Sequence, residues 1–535
     1  MRPRQRPFDA DLALAVRLAP EPIMKYDDYD VIVTGAGIAG LMAACFLARA
    51  GARVLVLEAN HQPGGLMAGI WRHGYYFDVG DQSFEDLGIV FALLGELGLY
   101  DATAWRRSRY QIRMPDLDVV VESLAQVEAA FVRAFPAEAV GLARVFRQHH
   151  ATSALLSRVV GADVLARAAL GSLGARFELL RILAPHAHEL PALWRQDFGA
   201  WYEEQMAPSG LRDLLATCGY SEMNVLVASG FWHLWANDYW YPQGGLAAFF
   251  AALVARLQSL GGEIAYRECV TRYVVERGAV RGVLTAKGDA VSARAVVHTG
   301  SLHEAVFELI GEAHFARAFV RRLNGAALSD AMVSLYLGLD VPAEELRQTM
   351  RVAHLFYFPS YAGAHSRLLD DPEHHRVKFL ELTSHSLDEP ALAPPGKTSL
   401  VVQAFSSGRW GGRWGQDGPS AGRKARYRDR KRAVADELLT LLAPLVPQLR
   451  ERIEWLDVGA PASATRFTRN PEGATCGFAL HPRHWPRRHP LAGGLRSPLR
   501  NLYFAGHYAL WPGTVPTAAL SGKLAAQLVL RRDLG

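Results

Sequence analysis

Apolar positions change their spacing several times along the chain, and each change predicts an element. Val31-Ile32-Val33 is a short continuous run of β-branched residues, the pattern of a strand buried on both faces. Leu41 to Ala50 is rich in alanine and leucine up to Gly51, which predicts a helix stopped by glycine. Val54 to Leu57 is a second apolar strand and ends in Glu58-Ala59. Between the first strand and the helix stands Gly35-Ala36-Gly37-Ile38-Ala39-Gly40. One glycine of such a turn permits a tight bend, one lets backbone N–H groups reach a pyrophosphate, and one lets helix and sheet pack closely. An acid at the end of the second strand accepts from a ribose hydroxyl. Strand, glycines, helix, strand and acid in this order predict a bound dinucleotide.

His61-Gln62-Pro63-Gly64-Gly65-Leu66 reads as a loop, where paired glycines either let backbone approach a cofactor or make a plain turn. His73 to Gly80 alternates like a strand and ends in the polar Gly80-Asp81-Gln82. From about Asp101 to Trp235 strand signals fade, and Val119 to Leu190 reads as a series of helices. There Arg144, Arg147, Arg158, Arg167, Arg176 and Arg181 face only Asp163 and Glu178. Such faces either lie on an anionic membrane or are simply solvated. The aromatic cluster Phe231 to Trp235 and Tyr239 to Tyr241 suits either a core or an apolar tunnel.

Tyr241-Pro242-Gln243-Gly244-Gly245-Leu246 opens a further helix. Strands are expected over Val270–Val275, Val280–Thr285, Ala295–His298, Ala331–Leu339, Val377–Leu382 and Ser399–Phe405. Gly408 to Gly415 reads as an exposed glycine- and arginine-rich loop, and Ala433 to Leu449 as a helix. Near the C-terminus, an apolar strand ends in Gly506-His507. Trp511-Pro512-Gly513-Thr514-Val515-Pro516 and a helix over Thr517–Leu530 follow.

Composition narrows the function classes. Half of the 535 residues are hydrophobic and about a fifth are charged, as in globular proteins, and the formal charge of +5 is too small and too dispersed to argue for nucleic acid. Cys45, Cys218, Cys269 and Cys476 are far apart, so neither a disulfide framework nor a metal cluster is expected, and a reducing, cytoplasmic setting follows. No catalytic triad or P-loop is found, and no run of about 18 uninterrupted apolar residues predicts a transmembrane helix. Residues 1–24 read as a flexible extension, with Met24 an alternative start.

The fingerprint, Glu58, the Gly64-Gly65 loop and Phe77-Asp78-Val79-Gly80 together resemble the flavin oxidoreductases of the monoamine oxidase superfamily, and within it the phytoene desaturase, carotenoid isomerase and retinol saturase group. Tyr241-Pro242-Gln243-Gly244-Gly245, Arg466-Phe467-Thr468, Gly473 to Gly477 and Gly506 to Pro516 are similar to its later motifs. Leu66 stands where many members carry arginine, and His507 where an acidic or small residue is common.

The resemblance implies an α/β fold: a Rossmann-like FAD-binding domain of the glutathione reductase/amine oxidase type, interleaved with a mixed α+β substrate domain. The FAD-binding domain is expected over 25–105, 236–310 and 455–535, and the substrate domain over 106–235 and 311–454. FAD is expected to meet Gly35, Ala36, Gly37, Ile38, Ala39, Gly40, Glu58, Ala59, Gly64, Gly65, Leu66, Val270, Gly506, His507, Gly513, Val515 and Pro516. His507 is read as either a titratable group beside the flavin or a hydrogen-bonding spacer.

The implied activity is desaturation, saturation or cis–trans isomerisation of an extended isoprenoid or polyene through hydride chemistry at flavin N5. Oxygen or a quinone would be the electron acceptor, with peripheral contact at the inner face of a membrane. A flavin amine oxidase and a non-catalytic lipid or prenyl escort of the same fold are the alternatives.

Overall fold

The computed structural model describes residues 29–160, 164–361, 380–484 and 495–535. The extension expected over residues 1–24, Asp163, and 377–379 of one expected strand lie outside them. Tyr29–Thr34 (β1) runs through helix Ile38–Arg49 (α1) to Val54–Glu58 (β2), which pairs with it in parallel. Glu263–Tyr266 (β3), Val270–Glu276 (β4), Ala279–Thr285 (β5), Ala290–His298 (β6) and Leu502–Phe504 (β7) complete this sheet. Its parallel part has the order β3-β2-β1-β6-β7. The first residues of β6 instead pair antiparallel with β5, and β5 with β4, so one long strand joins a three-stranded meander to the parallel layer.

Val31, Ile32 and Val33 are fully buried, as a strand covered on both faces requires. Helix α1 is buried from Ile38 to Ala48 because further helices pack around it, Gly245–Ser259 (α2) and Val515–Val529 (α3). At Gly522 of α3, an added Cβ would stand 2.2 Å from the carbonyl oxygen of Ala39, so the backbones of α3 and α1 touch. This contact brings the first and last motifs of the chain side by side.

A second, mixed sheet has seven strands in the order Ile453–Gly459, Ala331–Leu339, Thr398–Ser406, Leu380–Thr383, His354–Tyr357, Tyr110–Met114, Leu117–Val120. The strand Ile453–Gly459 therefore pairs away from the nucleotide sheet. Helix Arg423–Leu442 covers part of this sheet with Leu438, Leu439 and Leu442. Helices between Leu124 and Asn237 pack on Tyr110, Ile112, Phe356 and Phe405.

Two expectations need correction. The stretch after Asp101 is not free of strands: Trp105–Arg107, Tyr110–Met114 and Leu117–Val120 lie in it. Gly408 to Gly415 is not an exposed loop. Trp410–Gly415 is a short helix whose Trp410 and Trp414 are buried, and Trp414 Nε1 donates to the Ser407 carbonyl at 3.1 Å. The burial of two indoles outweighs the local preference of glycine and arginine for solvent.

Candidate active site

The glycine turn at the carboxyl end of β1 separates into structural and open positions. Gly35 has φ +99°, and a Cβ there would meet Thr299 Oγ1 at 2.7 Å. A Cβ at Gly40 would stand 2.0 Å from the Gly35 carbonyl oxygen. Gly37 differs, since nothing lies within 4 Å of the position its Cβ would take. It is the N-cap of α1 and provides no side-chain cap, so the first-turn N–H groups face open space.

Gly65 stands across that space: a Cβ added to it would meet only Gly37 Cα, at 3.7 Å. The Gly64 N–H donates to the Ala36 carbonyl at 2.9 Å and ties the second glycine loop to the first. A site with bare N–H groups, no side chains above it and a helix N-terminus behind it fits a pyrophosphate. Leu66 adds no charge there; its carbonyl accepts from the Asp81 N–H at 3.2 Å.

Glu58 is buried at the end of β2. Its Oε2 accepts from Ala36 N at 2.7 Å, and its Oε1 accepts from Asn60 N and Nδ2 at 2.8 and 2.9 Å. Those bonds fix the carboxylate beside the turn. Ala59 is exposed on the bend that follows, while Ile38 and Ala39 are buried within α1. Val270 begins β4, opposite Thr285, on the same side of the sheet as the turn after β2.

The C-terminal segment closes the other end. The Ala505 N–H donates to the His298 carbonyl at 2.8 Å. Gly506, at φ +94°, donates its N–H to Ser521 Oγ at 2.8 Å. A Cβ on Gly513 would lie 2.0 Å from the Cys476 carbonyl oxygen, so only glycine passes between Cys476 and His507. Val515 and Pro516 are buried at the start of α3. His507 is surrounded by protein, and burial lowers its pKa to about 4. Lowered in this way, the ring is neutral at neutral pH.

Asp81 is exposed and Tyr220, Tyr239, Cys476 and His507 are half-buried, although protein surrounds each of them. Side chains behave this way on the wall of an internal cavity. This one lies between the C-terminal segment and the second sheet. Desolvation, reinforced by Glu381, raises Asp81 to about 7. Glu85 rises to about 8, chiefly through burial, with Asp81 adding to the shift. Burial also pushes the Cys476 thiol up to about 12, and its sulfur lies 3.3 Å from the Tyr220 hydroxyl.

Rings continue from this wall. Tyr220 and Phe231 are near parallel at 6.3 Å, and Phe231 and Trp235 at 5.8 Å. Trp235 meets Phe356 at 5.0 Å, Phe356 meets Tyr110 at 5.0 Å, and Tyr110 meets Tyr239 at 5.3 Å.

Asp81, Glu85, Glu381, Tyr220 and Cys476 escape a reading of the sequence. The polar turn after Phe77-Asp78-Val79-Gly80 is the one local signal, and it marks only Asp81. Among the described residues, no helix is long and apolar enough to cross a membrane.

The family model for flavin containing amine oxidoreductases matches residues 38–530. An all-trans-retinol 13,14-reductase of Danio rerio is 23% identical over 542 residues, covering 95% of this chain and 87% of its own. A lycopene-forming phytoene desaturase of Paracoccus is 26% identical over 518 residues, covering 93% of this chain and 97% of its own. A solved structure of putrescine oxidase superposes with a TM-score of 0.60 at 18% identity, covering 94% of this chain and 99% of its own. With the glycine turn, Glu58 and the C-terminal segment gathered at one end of the nucleotide sheet, the chain belongs to the flavin containing amine oxidoreductase family and is an FAD-dependent oxidoreductase.

Proposed function

We propose that this enzyme desaturates, saturates or isomerises C=C bonds of an extended apolar polyene or isoprenoid. The observation that carries the reading is the row of rings from Tyr220 through Phe231, Trp235, Phe356 and Tyr110 to Tyr239, reaching the cavity wall. Flat aromatic faces suit a long conjugated chain, which needs alignment and exclusion of water more than polar contacts. Relatives named for retinol reduction and phytoene desaturation support the same substrate class.

FAD, when bound, supplies the two-electron chemistry. In this reading Gly35 to Gly40 and Gly64 to Leu66 receive its pyrophosphate, Glu58 its ribose, and Val270 its adenine through the backbone. Gly506, His507, Gly513, Val515 and Pro516 line its flavin half. His507 then serves as a neutral hydrogen-bonding spacer. Asp81 and Glu85, raised to about 7 and about 8, hold their protons well above the usual carboxylate range and supply them within the cavity. The nucleotide sheet defines the FAD-binding domain, and the second, mixed sheet, including Ile453–Gly459, defines the substrate domain. In desaturation, oxygen or a quinone takes the two electrons; saturation needs a two-electron reductant instead, and isomerisation needs neither. The substrate arrives through peripheral contact at the inner face of a membrane.

One observation favours a second reading, an amine substrate: Asp81 borders the cavity with Glu381 close enough to raise it, and carboxylates there could pair with an ammonium group. Anaerobic titration of the holoenzyme separates the two. Bleaching of the flavin absorbance by a carotenoid precursor, or chromatographic conversion of a cis-polyene, is the expected result. Bleaching by simple amines, with no polyene product, would overturn the polyene reading.

A further inference from the structure

The helix Leu173–Leu183 has its apolar residues on both sides. Ala175 and Ile182 turn inward, and Ile182 joins a small satellite core with Leu155, Val159 and Val164. On the outside, Leu173, Phe177 and Leu180 are 77%, 73% and 65% exposed. Their i, i+4, i+7 spacing places them in one stripe. A helix apolar on its outer face, at the surface of a soluble fold, is an interaction site rather than chance exposure.

The charges beside the stripe are basic. Arg176 and Arg181 are exposed on the same helix. On the helix Ala139–Val160, Arg158 is exposed beside Leu155 and Val159, which pack against Ile182. The acid within the stripe's own helix, Glu178, is held by Arg167 at 3.1 Å. The region also connects to the cofactor end of the molecule. Trp194, itself 39% exposed, meets Trp511 with ring centroids 4.3 Å apart, and Trp511 precedes Pro512-Gly513.

We infer that Leu173, Phe177 and Leu180, flanked by Arg176 and Arg181, dock this enzyme on an anionic phospholipid bilayer. The apolar stripe enters the acyl boundary while the guanidinium groups meet phosphate headgroups, as interfacial helices do. A second copy of the chain fits the surface poorly, because a symmetric contact would set these arginines against their own counterparts. The inference names the surface through which the proposed lipid contact occurs. It is tested without substrate, so it stands or falls apart from the polyene reading.

The experiment is co-sedimentation of the full-length holoenzyme with vesicles of phosphatidylcholine alone or mixed with phosphatidylglycerol. The wild type should sediment with the anionic vesicles, and added salt should release part of it. The triple variant Leu173→Ser, Phe177→Ser, Leu180→Ser should bind on the order of tenfold or more weakly. Arg176→Gln with Arg181→Gln should lose the preference for anionic lipid. Flavin absorbance should be unchanged in both, showing an intact fold. Wild-type protein left in the supernatant, or equal sedimentation of the triple variant, would overturn the inference. A change from dimer to monomer in the triple variant, with vesicle binding unaffected, would also overturn it and assign the stripe to self-association.

Discussion

Tyr241 donates its hydroxyl to Asp78 Oδ2 at 2.6 Å, across the join between the hairpin Gly69–Asp78 and the strand that leads into α2. Tyr76 donates to the other carboxylate oxygen at 2.5 Å, and the Leu246 N–H to the same oxygen at 3.3 Å. His385 stacks on the Tyr241 ring at 3.4 Å and donates from Nε2 to the Gln82 carbonyl oxygen at 2.5 Å, which puts its proton on Nε2. Asp78 thus locks three segments behind the turn that carries Asp81. Asp78→Ala should leave two buried hydroxyls unpaired at about 1–3 kcal/mol each. Urea denaturation should register that loss, and Asp78→Asn should lose less because one acceptor oxygen remains.

Gly37 and Gly40 should respond in opposite ways to alanine. Open space at Gly37 predicts that Gly37→Ala keeps apoprotein stability within about 0.5 kcal/mol, while its methyl group meets the cofactor phosphates and weakens FAD binding on the order of tenfold or more. Gly40→Ala puts a Cβ 2.0 Å from the Gly35 carbonyl, so the apoprotein itself should be destabilised. Thermal melts of the apoproteins, with FAD titrations followed by fluorescence, distinguish the two outcomes.

The cavity acids should set the pH dependence of turnover. Asp81 and Glu85 are raised to about 7 and about 8, mainly by burial. If their protons are used, kcat should fall as pH rises through that range. Asp81→Asn and Glu85→Gln should each lower kcat and flatten this limb. An unchanged profile in both variants would remove them from the chemistry.

The same shifts govern stability. Asp78, Asp81 and Glu85 start from ordinary values of 3.8, 3.8 and 4.5 and are raised to about 7, 7 and 8 in the folded protein. The folded state therefore holds more protons than the unfolded chain between those limits. Its stability should be fully present below the lower values and should decline as pH rises through the upper ones. Apoprotein melts across this window should show Tm falling toward pH 8, with a shallower decline in Asp81→Asn.

Trp414 is fully buried and donates to the Ser407 carbonyl. Trp414→Ala should cost roughly 3–5 kcal/mol, far more than a change in a solvent-facing loop. Guanidinium denaturation would check this.

The parts of the fold visible in the sequence are those whose cause is local. β1, the glycine turn, α1 and β2 rest on a continuous apolar run, backbone geometry and helix propensity, all within one stretch. The cavity rests on neighbours brought from afar. Asp81 sits in a polar turn like many surface turns, and its character comes from burial and from Glu381, three hundred positions away in sequence order. Cys476 and Tyr220 likewise gain meaning only by facing each other. Tyr110–Met114 does alternate, with Tyr110, Ile112 and Met114 buried, but the helical texture on its C-terminal side obscured so short a strand. At Trp410 and Trp414, glycine and arginine outnumber the two residues that decide the packing.

The contact of Gly522 with Ala39 has a consequence for biosynthesis. A ribosome makes α1 more than 450 residues before α3, yet α1 is buried on every side only when α3 has seated against it. Until then the nascent chain shows a bare stripe of small apolar residues beside the phosphate turn. A chain cut short before α3 would keep that stripe permanently, a feature by which quality-control chaperones and proteases recognise unfinished proteins.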